Sequence, residues 1–450
     1  MPLRKGEVIE VEFERLSYKG YGLGRYDGRE VAVPGVLPGE RAKVKVLRRP
    51  RHRVVGEVVE VVESPYRRTE PRCPHFGTCG GCLWQDVPYP EQLRLKEGLV
   101  REHIGEHLEG PLLPILPSPE LWKYRNKMEF SFDIGPGGEV VVGLHPQGRF
   151  DRTFDLKECP ISPSLFPEVA SCVRDFARSQ GLPPYDLKTQ KGLLRFLILR
   201  KSQRTGEAIA GITSACEDSR VGELARRIGE AFPEVRGVVG IVNPSPGQFA
   251  YGGEQDVLWG EGGFREELEI GGRRLRFRLS LPSFFQTNSS GAERLYEVVM
   301  EFAGLCGGER VLDLFCGVGT IASVLAPYAR EVVGVELVEE AVEDARINAQ
   351  ANGIGNIHFV AGPAERVLYG MEGPFDIVVV DPPRAGIHPK ARKRLLQLAP
   401  QRVLYVSCNP KSLGEDMDVL SGQYRLMRAQ PLDLFPHTPH VETVVELVRR

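Results

Sequence analysis

Several side chains late in the 450-residue chain are of types that make and break bonds. Cys408 lies in YVSCNP, directly after an apolar run that reads as a strand. A free cysteine is ordinarily a small buried hydrophobe. The polar company of Ser407 and Asn409 at a strand end suits a nucleophile instead. Asp381 heads DPPR straight after FDIVVV. Ligand crevices of open sheets lie at strand carboxyl ends, and two prolines fix the backbone there, so Asp381 is expected to stand rigidly over the crevice. The bland reading of Asp381 is a turn residue capping a helix. Glu442 sits in LDLFPHTPHVE near the start of the last strand, and taken alone it reads as a solvent-facing strand residue.

A second constellation is VLDLFCGVGTIA, Val311–Ala322. A strand runs into a loop with Gly317 and Gly319, and the loop opens a helix, which lets backbone approach a ligand closely. Glu336 ends the next strand, about twenty residues on, where an acid accepts hydrogen bonds from ribose hydroxyls. A nucleoside-containing cofactor follows. The segment also satisfies the loose dinucleotide pattern, so NAD stays open at this point.

A third group is Cys73, Cys79 and Cys82 with distant Cys159. Four thiolates suit either tetrahedral zinc or a [4Fe–4S] cluster, and a five-residue first gap is long for a zinc ribbon. His75 competes as a ligand but reads more simply as a loop residue. The total of nine cysteines is odd, and the chain reads as cytoplasmic, so a disulfide framework is not expected.

The elements that must carry these residues fall into three parts. Residues 1–63 read as about five short strands, Gly6–Phe13, Glu30–Val33, Arg41–Leu47 and Val54–Val62 among them, with a glycine-rich turn at Tyr18–Gly24; this predicts a small antiparallel barrel. Residues 64–280 mix a helix near Pro90–Gly105 and another near Ser219–Phe232 with strands such as Lys127–Ile134, Gly192–Lys201, Glu207–Thr213 and Gly237–Val242, an α+β pattern. Residues 281–450 alternate strand and helix through Arg310–Phe315, Glu331–Glu336, Ile357–Val360, Asp376–Val380 and Arg402–Ser407, a doubly wound parallel sheet. Tyr424–Pro431 and His440–Val448 then predict a hairpin on the sheet edge.

Composition is that of an ordinary globular protein, with no apolar run long enough for a membrane span or a secretory signal. The net charge of −2 does not point to nucleic acid, but Arg41, Lys43, Lys45, Arg48, Arg49, Arg51 and Arg53 form one basic run and Lys123, Arg125 and Lys127 another. Such runs are usually solvated faces; their other reading is phosphate binding.

DPPRAG, then YVSCN, then LDLFPHTPHVE is an ordered set that resembles the RNA uracil-5-methyltransferase family. Residues 281–450 resemble its Rossmann-like catalytic domain. GEVIEVEFERLSYKGYGLGRYDG and VAVPGVLPGE resemble its N-terminal TRAM barrel, an OB-like RNA-binding module, and CPHFGTCGGC with the later ECP resembles its iron–sulfur motif. The resemblance implies that Cys408 is the nucleophile and Glu442 the base, and that Gln286, Phe315, Glu336 and Asp381 contact S-adenosylmethionine. Gly317 belongs to the same cofactor loop; Thr320 stands where relatives often have Asn, and Pro363 falls near another cofactor-contacting position. It further implies a [4Fe–4S] cluster on Cys73, Cys79, Cys82 and Cys159, in a structural or RNA-positioning role, and an RNA partner, with 23S ribosomal RNA expected ahead of transfer RNA. No membrane and no obligate protein partner are implied. The alternatives are less economical. RNA cytosine-5 enzymes usually carry a second cysteine near the proline motif, absent at Asp381–Arg384, and amino methyltransferases an aromatic where Arg384 stands. NAD chemistry, or a vestigial fold that only binds RNA, leaves Cys408 and Glu442 unexplained.

Overall fold

A computed structural model describes residues 3–48, 53–371 and 373–450. Arg49 and Arg51 of the basic run lie outside the described residues. The first unit is a closed barrel of β1 (Val8–Leu16), β2 (Gly22–Tyr26), β3 (Arg29–Val33), β4 (Arg41–Arg48) and β5 (Arg53–Glu63), in the order β1-β2-β3-β5-β4; it is not antiparallel throughout as expected, since β5 crosses back to pair with β3 in parallel. Its alternating residues Ile9, Val11, Phe13, Val31, Val33, Val44, Val46 and Val54 fill the interior. The glycine-rich stretch expected to be a turn supplies β2 from Gly22 onward. A Cβ on Gly24 would meet the Glu12 carbonyl at 2.2 Å, so glycine is what lets the strand close the barrel.

The middle of the chain starts with α1 (Tyr89–Ile104). It then builds one seven-stranded sheet from β6 (Lys127–Ile134), β7 (Val140–Leu144), β8 (Phe154–Asp155), β9 (Leu194–Lys201), β10 (Ala208–Ser214), β11 (Val235–Val242) and β12 (Glu254–Gly260), in the order β12-β11-β10-β9-β6-β7-β8. Helices α2 (Leu165–Ser179) and α3 (Ser219–Ala231) cover one face, where Phe130, Leu197 and Val238 meet Phe166, Val173 and Leu224. The opposite face, with Ile198, Ile209, Val239 and Ile241, is buried against the C-terminal part of the chain. The two share one apolar core, so the central sheet is a rigid wall for whatever the C-terminal sheet holds.

A hairpin of β13 (Gly263–Ile270) and β14 (Arg273–Ser280) leads into α4 (Ser289–Ala303). The last sheet comprises β15 (Arg310–Leu314), β16 (Glu331–Glu336), β17 (Ile357–Ala361), β18 (Ile377–Val380), β19 (Arg402–Ser407), β20 (Tyr424–Leu432) and β21 (Glu442–Arg449), with α5 (Thr320–Leu325), α6 (Glu339–Ala351), α7 (Ala364–Gly370), α8 (Pro389–Leu398) and α9 (Pro410–Leu420) between them. The order is β17-β16-β15-β18-β19-β21-β20, parallel through β19 and antiparallel at β21 and β20. The runs IVVV and VVGV are apolar throughout because both faces of a parallel sheet are covered. The expected terminal hairpin forms, with β21 inserted beside β19 and β20 outside it. Leu108, Leu112 and Leu116 bridge to that outer strand, so the segment after α1 shields the edge.

Candidate functional site

The carboxyl ends of β15, β16, β18 and β19 face one way, and antiparallel β21 begins at the same end. Ser407 pairs with Thr443, which brings the next residue on one strand, Cys408, beside the previous one on the other, Glu442. Asp381 follows β18, next to β19. Cys408 feels both carboxyl groups, and Glu442 feels Asp381. Burial pushes the Cys408 thiol up to about 12, with the Glu442 and Asp381 charges raising it further and the Arg384 guanidinium opposing. Burial pushes Glu442 up to about 8, again with Asp381 adding to the shift and Arg384 opposing it. Burial alone brings Asp381 to about 7. Glu442 is 2 % exposed and its Oε2 has no hydrogen-bond partner, so the solvent-facing reading is excluded. A carboxyl group kept dry and unpaired is poised to trade a proton.

Cys408 is held by its neighbours. Asn409 caps α9 by accepting from the Lys411 amide at 3.2 Å, and its Nδ2 donates to the Arg384 carbonyl at 2.9 Å. The DPPR turn and the cysteine turn are thereby tied together. Glu442 is held from the other side by the loop before it. Four consecutive carbonyls of that loop receive donors from separate parts of the chain: Leu434 from Asn288 Nδ2, Phe435 from Lys96 Nζ, Pro436 from the Tyr124 hydroxyl, and His437 from the Leu83 and Trp84 amides. His440 is neutral, pushed down to about 3 by burial.

At the glycine loop, Phe315, Gly317 and Gly319 all have positive φ, a conformation that strains Phe315 and suits the glycines. Gly319 has no room for a side chain, since a Cβ would stand 2.8 Å from the Phe359 ring. Glu336 Oε2 accepts from the Gly317 amide at 3.0 Å, and Oε1 from the Leu337 and Val338 amides at 2.7 and 3.0 Å. A carboxylate has about four acceptor positions, so one remains for a ribose hydroxyl. Thr320 opens α5 and is buried; Gln286 is buried just before α4, its carbonyl accepting from Asn126 Nδ2; Pro363 caps α7. Asp313 escaped the sequence reading. It is fully buried in β15, its Oδ2 accepts from the Ala322 amide at 3.0 Å, and its Oδ1 is unpartnered below the loop. Its signal was an acid inside an otherwise apolar strand.

Cys73, Cys79, Cys82 and Cys159 line the same cleft as Cys408, a space of about 1000 Å³. Burial raises Cys73, takes Cys79 to about 11 and Cys82 to about 12, and each feels Cys159. Cys159 is brought in by the pairing of Lys123 and Arg125 amides with the Pro160 and Ile161 carbonyls. His75 is a loop residue, its Nε2 accepting from the Lys157 amide at 3.2 Å. Arg125 and Lys127 of the second basic cluster also line the cleft, together with Tyr18, Lys19 and Tyr21 of the barrel. In the first basic run, Arg41 pairs with Glu10 and Glu63, Lys43 with Glu60, and Arg53 with Glu30, so three of its cations are neutralised by the neighbouring strands.

A doubly wound sheet that gathers a strained glycine loop, a ribose-ready acid and a thiol between two carboxyl groups at one end defines a Rossmann-like methyltransferase. The tRNA (Uracil-5-)-methyltransferase family matches residues 252–450, and the TRAM domain family matches residues 2–61. An uncharacterized RNA methyltransferase of Caldanaerobacter subterraneus is 39% identical over 98% of this chain and 99% of its own, and one of Clostridium tetani is 36% identical over 100% and 99%. The crystal structure of Pyrococcus abyssi tRNA (uracil-54, C5)-methyltransferase in complex with S-adenosyl-L-homocysteine is similar with a TM-score of 0.76 and 30% identity, covering 98% of this chain and 99% of that one. The chain belongs to the RNA uracil-5-methyltransferase family. Among the described residues, no helix is long and apolar enough to cross a membrane.

Proposed function

We propose that this enzyme methylates carbon 5 of a uridine in RNA with S-adenosylmethionine as methyl donor, through a covalent adduct of Cys408. The observation that carries the reading is the pairing of β19 with β21, which sets a thiol beside a dry, unpartnered carboxyl group. Carbon 5 of uracil is a poor nucleophile. Addition of the Cys408 thiolate to carbon 6 places negative charge on carbon 5 and the carbonyl oxygen, and carbon 5 then takes the methyl group from the sulfonium. Ionised Glu442 removes the carbon 5 proton, the double bond re-forms, and the carbon 6–sulfur bond breaks with its electron pair returning to Cys408. Gln286, Phe315, Gly317, Thr320, Glu336 and Asp381 hold the donor at the strand ends. The uracil leaves its stack to reach the thiol.

Residues 1–63 serve RNA binding, 64–280 hold the cluster, and 281–450 carry methyl transfer. Cys73, Cys79, Cys82 and Cys159 hold a [4Fe–4S] cluster. The five-residue gap between Cys73 and Cys79 is long for a zinc ribbon, which favours the cluster over zinc. Methyl transfer is redox-neutral, so the cluster's contribution is mechanical. For the substrate, ribosomal RNA of the large subunit is the first reading. Transfer RNA is the second, favoured by the Pyrococcus abyssi neighbour, which is named for a tRNA substrate and which this architecture matches end to end.

Labelled S-adenosylmethionine with total RNA tests the activity, and mapping of modified uridines in RNA from a deletion strain identifies the molecule. Cys408→Ala should bind RNA and transfer no methyl group. Glu442→Gln should transfer the methyl group and then stall as a protein–RNA species that migrates slowly on a denaturing gel and depends on the donor. Free methylated RNA at the normal rate from Glu442→Gln, or an adduct from Cys408→Ala, would refute these roles.

A further inference from the structure

The barrel reaches the cleft by its β1–β2 loop. Gly20, with φ of +75°, packs so tightly on the loop before Glu442 that a Cβ would lie 2.4 Å from Pro439 Cβ. This contact fixes Tyr18, Lys19 and Tyr21 in the cleft wall alongside Arg384 and Cys408. Tyr18 is 37% exposed, and two cations flank its ring, Lys19 Nζ and Lys411 Nζ, each 5.6 Å from the centroid. Lys411 stands three residues after Cys408. On the wall made by the central sheet, Phe150 is 73% exposed in the same cleft. That exposure leaves the face of the ring open to a base. Arg125 adds a further cation to the cleft.

We propose that the cleft is a single-stranded RNA track in which a nucleotide flanking the target uridine stacks on Tyr18, with its phosphate taken by Lys19 and Lys411, while another flanking base stacks on Phe150. The inference rests on the uridine-methylation reading and supplies its recognition element. Grooves of this kind combine cations along the backbone with aromatic faces that accept any base. Both lysines are exposed and long, and Lys411 also pairs with Glu415 at 3.1 Å, so a phosphate draws both off the ring and Lys411 from that carboxylate, which frees the face. The described cations of the basic run on β4 and β5 do not line the cleft and are left outside the track.

The test uses the full-length protein and a 12-nucleotide (~one OB-fold site size) single-stranded RNA with a central uridine and 2-aminopurine on either side of it. Binding is followed by fluorescence without methyl donor, and methylation is followed separately with it. Stacking should quench the 2-aminopurine in the wild type and in Tyr18→Phe, and Tyr18→Ala should restore the fluorescence of one flanking position and Phe150→Ala that of the other. Each alanine variant should weaken binding roughly five- to tenfold. The Lys19→Ala/Lys411→Ala pair should flatten the log–log salt slope by roughly 0.7, the value for one phosphate on a single strand, while Arg41→Ala/Lys43→Ala leaves it unchanged. Unchanged affinity and quenching in both aromatic variants, or a slope that falls with Arg41 and Lys43 and not with Lys19 and Lys411, overturns the track. A wild type that binds and quenches but methylates no RNA leaves the track in place and refutes the uridine reading instead.

Discussion

Gln92 of α1 and His437 of the loop before Glu442 grip each other from both sides. The His437 amide donates to Gln92 Oε1 at 2.7 Å, and Gln92 Nε2 lies 3.3 Å from His437 Nδ1. His437 Nε2 faces the Leu121 carbonyl at 3.1 Å, which makes Nε2 the protonated nitrogen and Nδ1 the acceptor. Burial holds this imidazole neutral, down to about 4, so the arrangement persists across the working pH range. The two Gln92 Nε2 protons go to the Trp84 and Val87 carbonyls, at 2.9 and 2.8 Å in the segment after Cys82, so the 3.3 Å approach to His437 Nδ1 is a close contact and not a third donated bond. One amide thus joins the cysteine loop to the loop that presents Glu442, across a residue with φ of +68°.

Gln92→Ala should therefore cost about 1–3 kcal/mol of stability, because buried carbonyls lose their donors. It should lower kcat for methylation while leaving RNA affinity within twofold, since no RNA-facing group changes. Gln92→Glu keeps an acceptor for the His437 amide but loses both donated bonds, so it should be no better than alanine. Thermal unfolding and steady-state kinetics check both variants.

Lys96 and Asp433 form an ion pair at 2.5 Å with both side chains fully buried. Burial lowers the Lys96 ammonium and the Asp433 charge restores it. Removing one partner of such a pair strands the other charge, so Lys96→Met should destabilise by about 3–5 kcal/mol. Asp433 Oδ1 also accepts from the Phe435 amide at 2.9 Å, a bond asparagine can keep. Lys96→Met/Asp433→Asn should thus recover much of the loss, which denaturant unfolding of Lys96→Met, Asp433→Asn and the double variant measures. Simple additivity of the two single changes would show that the pair is not coupled.

Much of this was readable in advance because the informative residues sit where local pattern is strongest. β6, β16 and β19 occur where apolar alternation or unbroken apolar runs place them. Cys408, Asp381 and Glu336 were found because they end such runs. What stayed hidden depends on register and on distant partners. The cations of β4 looked free until β1 and β5 set Glu10 and Glu60 across from Lys43. Hairpin β13–β14 escaped notice, and its outer edge is completed by one face of α6: Asn352, Asn348 and Asp344 accept from the Arg276, Arg278 and Ser280 amides. Helical spacing supplies strand partners there, a match that only tertiary structure reveals.

The cysteine loop makes a separate prediction. Anaerobically purified protein should be brown, with broad absorbance near about 400 nm and iron rather than zinc in the metal analysis. Cys159→Ala should lose the colour. Because Leu83 and Trp84, next to Cys82, hold the His437 carbonyl at 3.0 Å, the bleached protein should also unfold at lower temperature and turn over more slowly. One zinc per chain with no iron would sink the cluster assignment.

The last prediction concerns Glu442, whose carboxyl group sits at about 8 in the folded protein against an ordinary value of 4.5. Between those values the folded chain keeps a proton that the unfolded chain releases, so this residue makes stability fall as pH rises from about 4.5 to 8. The loss is bounded above by about 5 kcal/mol. Glutamine carries no charge at any pH and escapes it. The Tm advantage of Glu442→Gln over wild type should therefore be small at pH 5 and grow to a plateau above pH 8. With Glu442 as the proposed base, catalysis should run the other way, since only an ionised carboxylate can take the carbon 5 proton. Breakdown of the covalent intermediate, measured in single turnovers after rapid methyl transfer, should speed up with pH and level off above about 8. The same titration then governs two observables with opposite signs, stability and elimination. A Tm difference that ignores pH would place the ionisation elsewhere, and an elimination rate flat from pH 6 to 9 would remove Glu442 from the proton-transfer step.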